Sequence, residues 1–282
     1  MSGGRRGEVR TLGLRMRSST LAIALSASVA CCADPSITKG GDGDRPYEML
    51  RTLVTRTYPH SPDAFTEGLL FSDGWLYESS GLVGQSQLHK IELETGLVLQ
   101  AADVPEQIFA EGIAIVGQNL IQLSWRNGRA LVWDRETFTI QHEFRYDGEG
   151  WGLCFDGQSL VMSDGTDHLQ LREPATFQLI KRVAVRERGA PLAGLNELEC
   201  VGTDVLANVW GRRHIVRIRT ATGEVVQRID TGGILQHVDQ GSDLSNIDVL
   251  NGIAAIPGSE RLLLTGKRWP NVFEVEVVAV GL

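Results

Sequence analysis

Five copies of one pattern run along this 282-residue chain. They read TEGLLFSDGWLYESSG (66–81), EGIAIVGQNLIQLSW (111–125), WGLCFDGQSLVMSDG (151–165), NELECVGTDVLANVW (196–210) and NGIAAIPGSERLLLTGK (251–267). Aligning their central turns puts Glu67, Glu111, Trp151, Asn196 and Asn251 at one equivalent position, where a plain apolar core would want neither a polar nor an aromatic residue. Repeats of about 40–50 residues built from short strands read as propeller blades, whose first strands line a central channel. Equivalent side chains then ring one axis, and that ring is the candidate site.

Within each copy a short strand meets a turn (Ser72-Asp73-Gly74, Gly117-Gln118-Asn119, Asp156-Gly157-Gln158) and a more apolar second strand follows. Third and fourth strands are expected around Glu94-Thr95-Gly96, Arg135-Glu136-Thr137, Pro174-Ala175-Thr176 and Ala221-Thr222-Gly223. No long 3.6-residue periodicity appears, so little helix is expected. The expected fold is all-β, a five-bladed β-propeller. Its last copy has too few residues after 267 for a full blade, and 50–57 would supply the outer strand, so that N- and C-terminal strands pair and no edge stays open. A polar, Asp-rich insertion at 233–249 reads as a lid or a rim excursion at the channel mouth.

Ahead of the repeats, Arg5, Arg6, Arg10, Arg15 and Arg17 precede an apolar stretch at 21–30 and small residues before Cys31. This is the pattern of an export signal over 1–32, ending either in ordinary cleavage or at a lipoprotein-type site, with Cys31 or Cys32 as anchor. A Gly/Asp/Pro-rich tether at 33–48 and a folded domain at 49–282 follow, so the expected location is periplasmic or extracellular, with no later transmembrane segment. The formal net charge of −8 argues against nucleic acid as a partner. Cys154 and Cys200 occupy matching places in neighbouring repeats; the preferred reading is two buried apolar thiols, with a disulfide as the alternative. The six histidines show no spacing that suggests zinc.

The runs HSPDAFTEGL (60–69), FAEGIA (109–114), QLSW (122–125), DGEGWGL (147–153), LNELE (195–199), ANVW (207–210), LNGIA (250–254) and TGKRWPNVFEV (265–275) resemble the plant- and bacterial-type glutaminyl-peptide cyclotransferases. That resemblance covers nearly the whole expected domain. It implies a five-bladed propeller that turns the N-terminal glutamine of peptides or proteins into pyroglutamate, releasing ammonia without a catalytic metal. It places the acid/base glutamate on Glu111, with Asn196 and Lys267 beside it, and substrate-binding residues on Phe65, Phe109, Trp125, Trp151 and Trp210. Position 67 departs from the pattern: relatives often carry glutamine where this chain has Glu67. A second carboxylate there either couples to Glu111 and raises one pKa or grips the substrate ammonium.

Those residue types suit the chemistry. Cyclisation needs an amine to lose a proton and a departing amide nitrogen to gain one, and a single desolvated carboxyl can do both in turn. Asn196 offers an oxyanion donor, and the tryptophans exclude water and hold the substrate folded back on itself. Trp75, Trp133 and Trp269 read instead as blade packing. Two other classes compete. A metal-dependent propeller hydrolase such as a lactonase would use Glu67, Asn196 and Asn251 as oxygen ligands, and a structural cation such as calcium is compatible with the same residues. A non-catalytic secreted propeller would bind peptides on its rim. The expected assembly is a monomer.

Overall fold

The computed structural model describes residues 46–239 and 241–280. The export-signal reading, and the expected tether up to residue 45, lie outside the described residues. The described chain enters the first strand, β1 (Glu48–Pro59), just after Tyr47, whose Oη donates to Glu187 Oε1 at 2.7 Å.

Antiparallel meanders follow in chain order. The first contains β2 (Thr66–Ser72), β3 (Trp75–Ser80), β4 (Gln87–Glu92) and β5 (Leu97–Asp103). The second contains β6 (Ala110–Val116), β7 (Asn119–Ser124), β8 (Arg129–Asp134) and β9 (Ile140–Arg145), and the third β10 (Leu153–Phe155), β11 (Leu160–Met162), β12 (His168–Arg172) and β13 (Leu179–Ala184). A small hairpin, β14 (Arg186–Glu187) with β15 (Ala190–Pro191), leads into β16 (Leu195–Val201), β17 (Asp204–Val209), β18 (His214–Arg219) and β19 (Val225–Asp230). The last strands are β20 (Leu250–Ala255), β21 (Leu262–Gly266) and β22 (Asn271–Ala279). Local chemistry explains the hairpins. At Asp73-Gly74 both φ angles are positive, 52° and 83°, the two-residue turn whose twist matches the strands it joins.

The first strand of each meander is buried almost throughout, while an outer strand such as β5 is mostly exposed. The reason is position: an inner strand has neighbours on both sides, an outer strand faces water. Hydrophobic clusters fill the seams. Leu70, Tyr77 and Leu88 pack with Ile113, Leu120 and Trp133. Ile121 and Leu123 pack with Leu153 and Leu160, Val161 and Leu169 with Leu198 and Val216, and Leu206 and Ile215 with Ile253 and Leu264. Leu69 and Leu76 pack with Ala254 and Leu263, which returns the sequence of seams to its start. Apolar cores between successive meanders, closing in a circle, are the packing of a β-propeller.

Closure uses both termini, as expected. β1 runs antiparallel to β22 from Leu50↔Ala279 to Pro59↔Asn271. Its other edge pairs in parallel with β19, from Glu48↔Gln227 to Arg51↔Asp230. The sheets are therefore not separate blades throughout, because β1 joins the last two meanders into one eight-stranded sheet. The insertion holds the described chain's one short 3-10 turn, Ile234–His237. Among the described residues no helix is long and apolar enough to cross a membrane.

One expectation is overturned. Cys154 on β10 and Cys200 on β16 form a disulfide, with a Cα–Cα distance of 5.5 Å. The thiols were expected to stay apolar fillers. Equivalent positions on adjacent inner strands instead face one another across the seam, within the separation that a disulfide requires.

Candidate active site

Pairing between the first and second strands slips at the ring positions. The register shifts between Thr66 and Gly68, Ala110 and Ile113, Leu195 and Leu198, and Leu250 and Ile253. A bulge leaves a residue outside the ladder and re-aims its side chain, so Glu67, Glu111, Asn196 and Asn251 are turned by backbone irregularity rather than by strand alternation. The glycine after the ring residue serves close approach. A Cβ on Gly112 would lie 2.5 Å from Leu153 N and 2.7 Å from Trp151 O, so no larger residue lets β6 and β10 meet.

Phe65, Glu67, Phe109, Glu111, Trp125, Trp151, Asn196, Trp210 and Lys267 together line one pocket of about 240 Å³. The nine residues expected to be catalytic or substrate-binding therefore share one pocket. The ring position Asn251 is outside that lining: it is fully buried, its Nδ2 donating to Thr66 O at 2.9 Å and, more weakly, to Glu67 Oε2 at 3.4 Å. Aromatic rings meet edge to face along the wall, Phe65 to Phe109 at 6.2 Å and Trp151 to Trp210 at 6.4 Å. Trp210 is 59% exposed and stands at the mouth, whereas Trp133 and Trp269 are buried packing residues, as expected.

At the polar end, Lys267 Nζ donates to Glu67 Oε1 at 2.6 Å, with both side chains almost wholly buried. Glu67 and Glu111 also contact one another, which lowers the Glu67 carboxyl and raises that of Glu111. Burial raises both carboxyls. Glu67 reaches about 7 although Lys267 and the bond from Glu111 pull it down. Glu111 is pushed well above the usual carboxylate range by burial and then by the charge of Glu67. Desolvation outweighs the ion pair here, because two carboxyls share one cation. Glu111 Oε2 is buried and has no hydrogen-bond partner, which leaves an unengaged carboxyl oxygen in the site.

Several supporting residues escaped the sequence reading. Glu149 Oε2 accepts from the indole N–H of Trp125 at 2.8 Å and of Trp151 at 3.0 Å, fixing two walls with one oxygen, while its Oε1 takes Arg126 Nε at 2.9 Å. Burial alone would raise its pKa; the bonds from Trp151, Arg126 and Trp125 outweigh that and lower it. The signal was an acid two residues before Trp151 in DGEGWGL. Ser163 Oγ accepts from Gly152 N and donates to Asn196 O, each at 2.7 Å, tying two ring positions together. Beneath the pocket Glu197 accepts from Ile253 N at 2.8 Å and Leu69 N at 3.3 Å, bridging three inner strands. Among the described residues no group of three or more His, Cys, Asp or Glu is placed to hold a metal ion.

The sequence profile described as "Glutamine cyclotransferase" matches residues 22–277. The chain belongs to the glutamine cyclotransferase family. A curated member of similar sequence, the glutaminyl-peptide cyclotransferase of Arabidopsis thaliana, is 34% identical over 242 residues, covering 85% of this chain and 75% of the relative. The crystal structure of the Myxococcus xanthus glutaminyl cyclase superposes with a TM-score of 0.77 at 38% identity, covering 83% of this chain and all of that one. The glutamine cyclotransferase assignment thus rests on sequence and on fold independently of the pocket.

Proposed function

We propose that this protein is a glutaminyl-peptide cyclotransferase that converts the N-terminal glutamine of peptides or proteins into pyroglutamate and releases ammonia. The observation that carries the reading is a buried carboxyl, Glu111, with one oxygen free inside an aromatic pocket, its pKa raised by that burial. The pocket is smaller than the roughly 300–1,000 Å³ of sites for drug-sized ligands, which suits one terminal side chain.

In the proposed reaction the neutral α-amine attacks the side-chain amide carbon, a C–N bond forms, and the carbonyl oxygen takes up the electron pair. Asn196 and Lys267 stabilise that oxygen; a single donor of this kind is typically worth about 3 kcal/mol. Glu111 gives its proton to the departing nitrogen and recovers one from the attacking amine, so ammonia leaves and the enzyme is restored. The tryptophans and phenylalanines exclude water and keep the amine over the carbonyl, which is where an intramolecular reaction gains most. Glu67 keeps the shuttle protonated. The Cys154–Cys200 disulfide supports export to an oxidising compartment.

The test is ammonia release and the matching mass loss on N-terminal glutamine dipeptides, with and without a chelator. Turnover should survive the chelator, and Glu111→Gln should lower kcat by roughly 10²–10⁴-fold while the protein stays folded. Near-normal turnover in Glu111→Gln would remove the assignment; loss of activity on chelation would favour a metal-dependent hydrolase instead.

A further inference from the structure

A second cavity, of about 570 Å³, opens beside the aromatic pocket between the β17–β18 turn and the 233–249 insertion. Its lining includes Arg212, Arg213, Ile234, Asp248, Leu250 and Trp269. The two spaces are bordered by residues that adjoin along the chain and through backbone hydrogen bonds. Trp210 borders the aromatic pocket and its chain neighbour Gly211 borders the second cavity. Lys267 borders the first, and its backbone bonds to Val249 O at 3.0 Å and Asp248 N at 2.9 Å, residues of the second. The β17–β18 turn and the β19–β20 connection both emerge at the end of the molecule where the inner strands begin, the end that carries the pocket.

Charge distinguishes the second cavity. The chain is acidic, at −8; beside the aromatic pocket Arg126 is already paired with Glu149 and Arg268 lies over the Phe65 ring, 5.8 Å from its centroid. Arg212 and Arg213 are exposed, and neither guanidinium has an ion-pair or hydrogen-bond partner among the described residues. Their backbone is held in place: Arg212 N donates to Val209 O at 2.9 Å, and Arg213 O accepts from Thr231 N and Oγ1 at 3.0 and 2.9 Å. The one carboxylate in the lining, Asp248, has its Oδ1 occupied by Val249 N at 2.7 Å.

We propose that this cavity receives the peptide residues following the N-terminal glutamine, and that Arg212 and Arg213 select an acidic side chain there. The inference rests on the cyclisation reading of the aromatic pocket. An extended peptide advances about 3.3–3.6 Å per residue, so the second or third residue of a substrate seated by Trp210 passes Gly211 and meets the arginines. Ile234, Leu250 and Trp269 give the stem of that side chain an apolar floor.

The test compares kcat/KM for the C-terminally amidated peptides Gln-Ala-Ala, Gln-Asp-Ala, Gln-Ala-Asp and Gln-Lys-Ala, which carry no terminal carboxylate, in low and high salt, on the wild type and on the double variants Arg212→Ala/Arg213→Ala and Arg212→Glu/Arg213→Glu. One of the aspartyl peptides should exceed Gln-Ala-Ala by roughly three- to tenfold and the lysyl peptide should fall below it, the preference shrinking in salt. The alanine pair should erase the preference and the glutamate pair reverse it. Equal values for aspartyl and alanyl peptides, or a preference that survives both variants, overturn the subsite while leaving cyclisation standing. No turnover of any peptide by the wild type would overturn the cyclisation reading, and the subsite with it.

Discussion

The pair Glu67–Glu111 decides how this site differs from one with an amide at position 67. Glu67 carries charge opposite Lys267 and accepts from Glu111, and both effects hold the proton on Glu111. Replacing Glu67 with glutamine removes the neighbouring negative charge and frees Lys267, so the Glu111 pKa must fall. The expected outcome for Glu67→Gln is a pH profile of kcat displaced toward lower pH, with Glu67→Asp staying near the wild-type profile; an unmoved profile would mean that the two carboxyls do not share a proton. The site was legible at this scale where one residue type carries one chemistry: Glu111, Asn196, Lys267 and the aromatics are all in the pocket. Asn251 misled because phase in a repeat says where a residue starts, and a hydrogen bond to its neighbour's carbonyl decides where it points. Glu149 and Ser163 were missed because the bonds from Trp125 to Glu149 and from Ser163 to Asn196 join segments 24 and 33 residues apart in sequence.

Elements of the fold were readable through turn chemistry and apolar runs, and the pairing of β1 with β22 followed from a last repeat too short to complete itself. The parallel pairing of β1 with β19 was not, since it depends on how two outer strands meet after every blade is in place. The disulfide belongs to the same class. It joins β10 to β16, whose contact is a tertiary fact, across a sequence separation of 46 residues. A crosslink closing a loop of that length chiefly restricts the unfolded chain and is worth about 2–4 kcal/mol. Cys154→Ser/Cys200→Ser, or reduction of the wild type, is expected to lower unfolding stability by that amount, read as a fall in the urea midpoint. An unchanged midpoint would show that the apolar seam around Leu198 and Val161 alone fixes the two strands.

For the whole molecule, the carboxyls near the central axis set an expected response to pH. Glu197 and Glu199 lie on β16; Glu197 reaches backbone N–H groups of β2 and β20, and Glu199 accepts from Ala255 N at 3.0 Å. Burial raises both, with Glu197 raised further by the charge of Glu199, and Glu199 reaches about 8. In the unfolded chain such a carboxyl loses its proton near the ordinary value of 4.5. Between 4.5 and about 8 the folded state therefore binds more protons than the unfolded state, and stability falls as pH rises. Glu67, raised to about 7, and His60, which is raised because the charge and hydrogen bond of Glu78 outweigh its burial, act in the same direction. Glu78 acts oppositely: its burial is outweighed by His60 and His89, its carboxyl is lowered, and its contribution is lost as pH falls below the ordinary carboxylate range. The expected stability maximum is mildly acidic. Urea midpoints measured at about pH 5 and about pH 8 should drop toward the higher pH in the wild type and drop less in Glu199→Gln, which keeps the shape and carries no titrating group. Equal drops in the two proteins would mean that Glu199 is ionised in the folded molecule. The axis would then hold a half-buried charge without a cation beside it, held by the hydrogen bond from Ala255 alone.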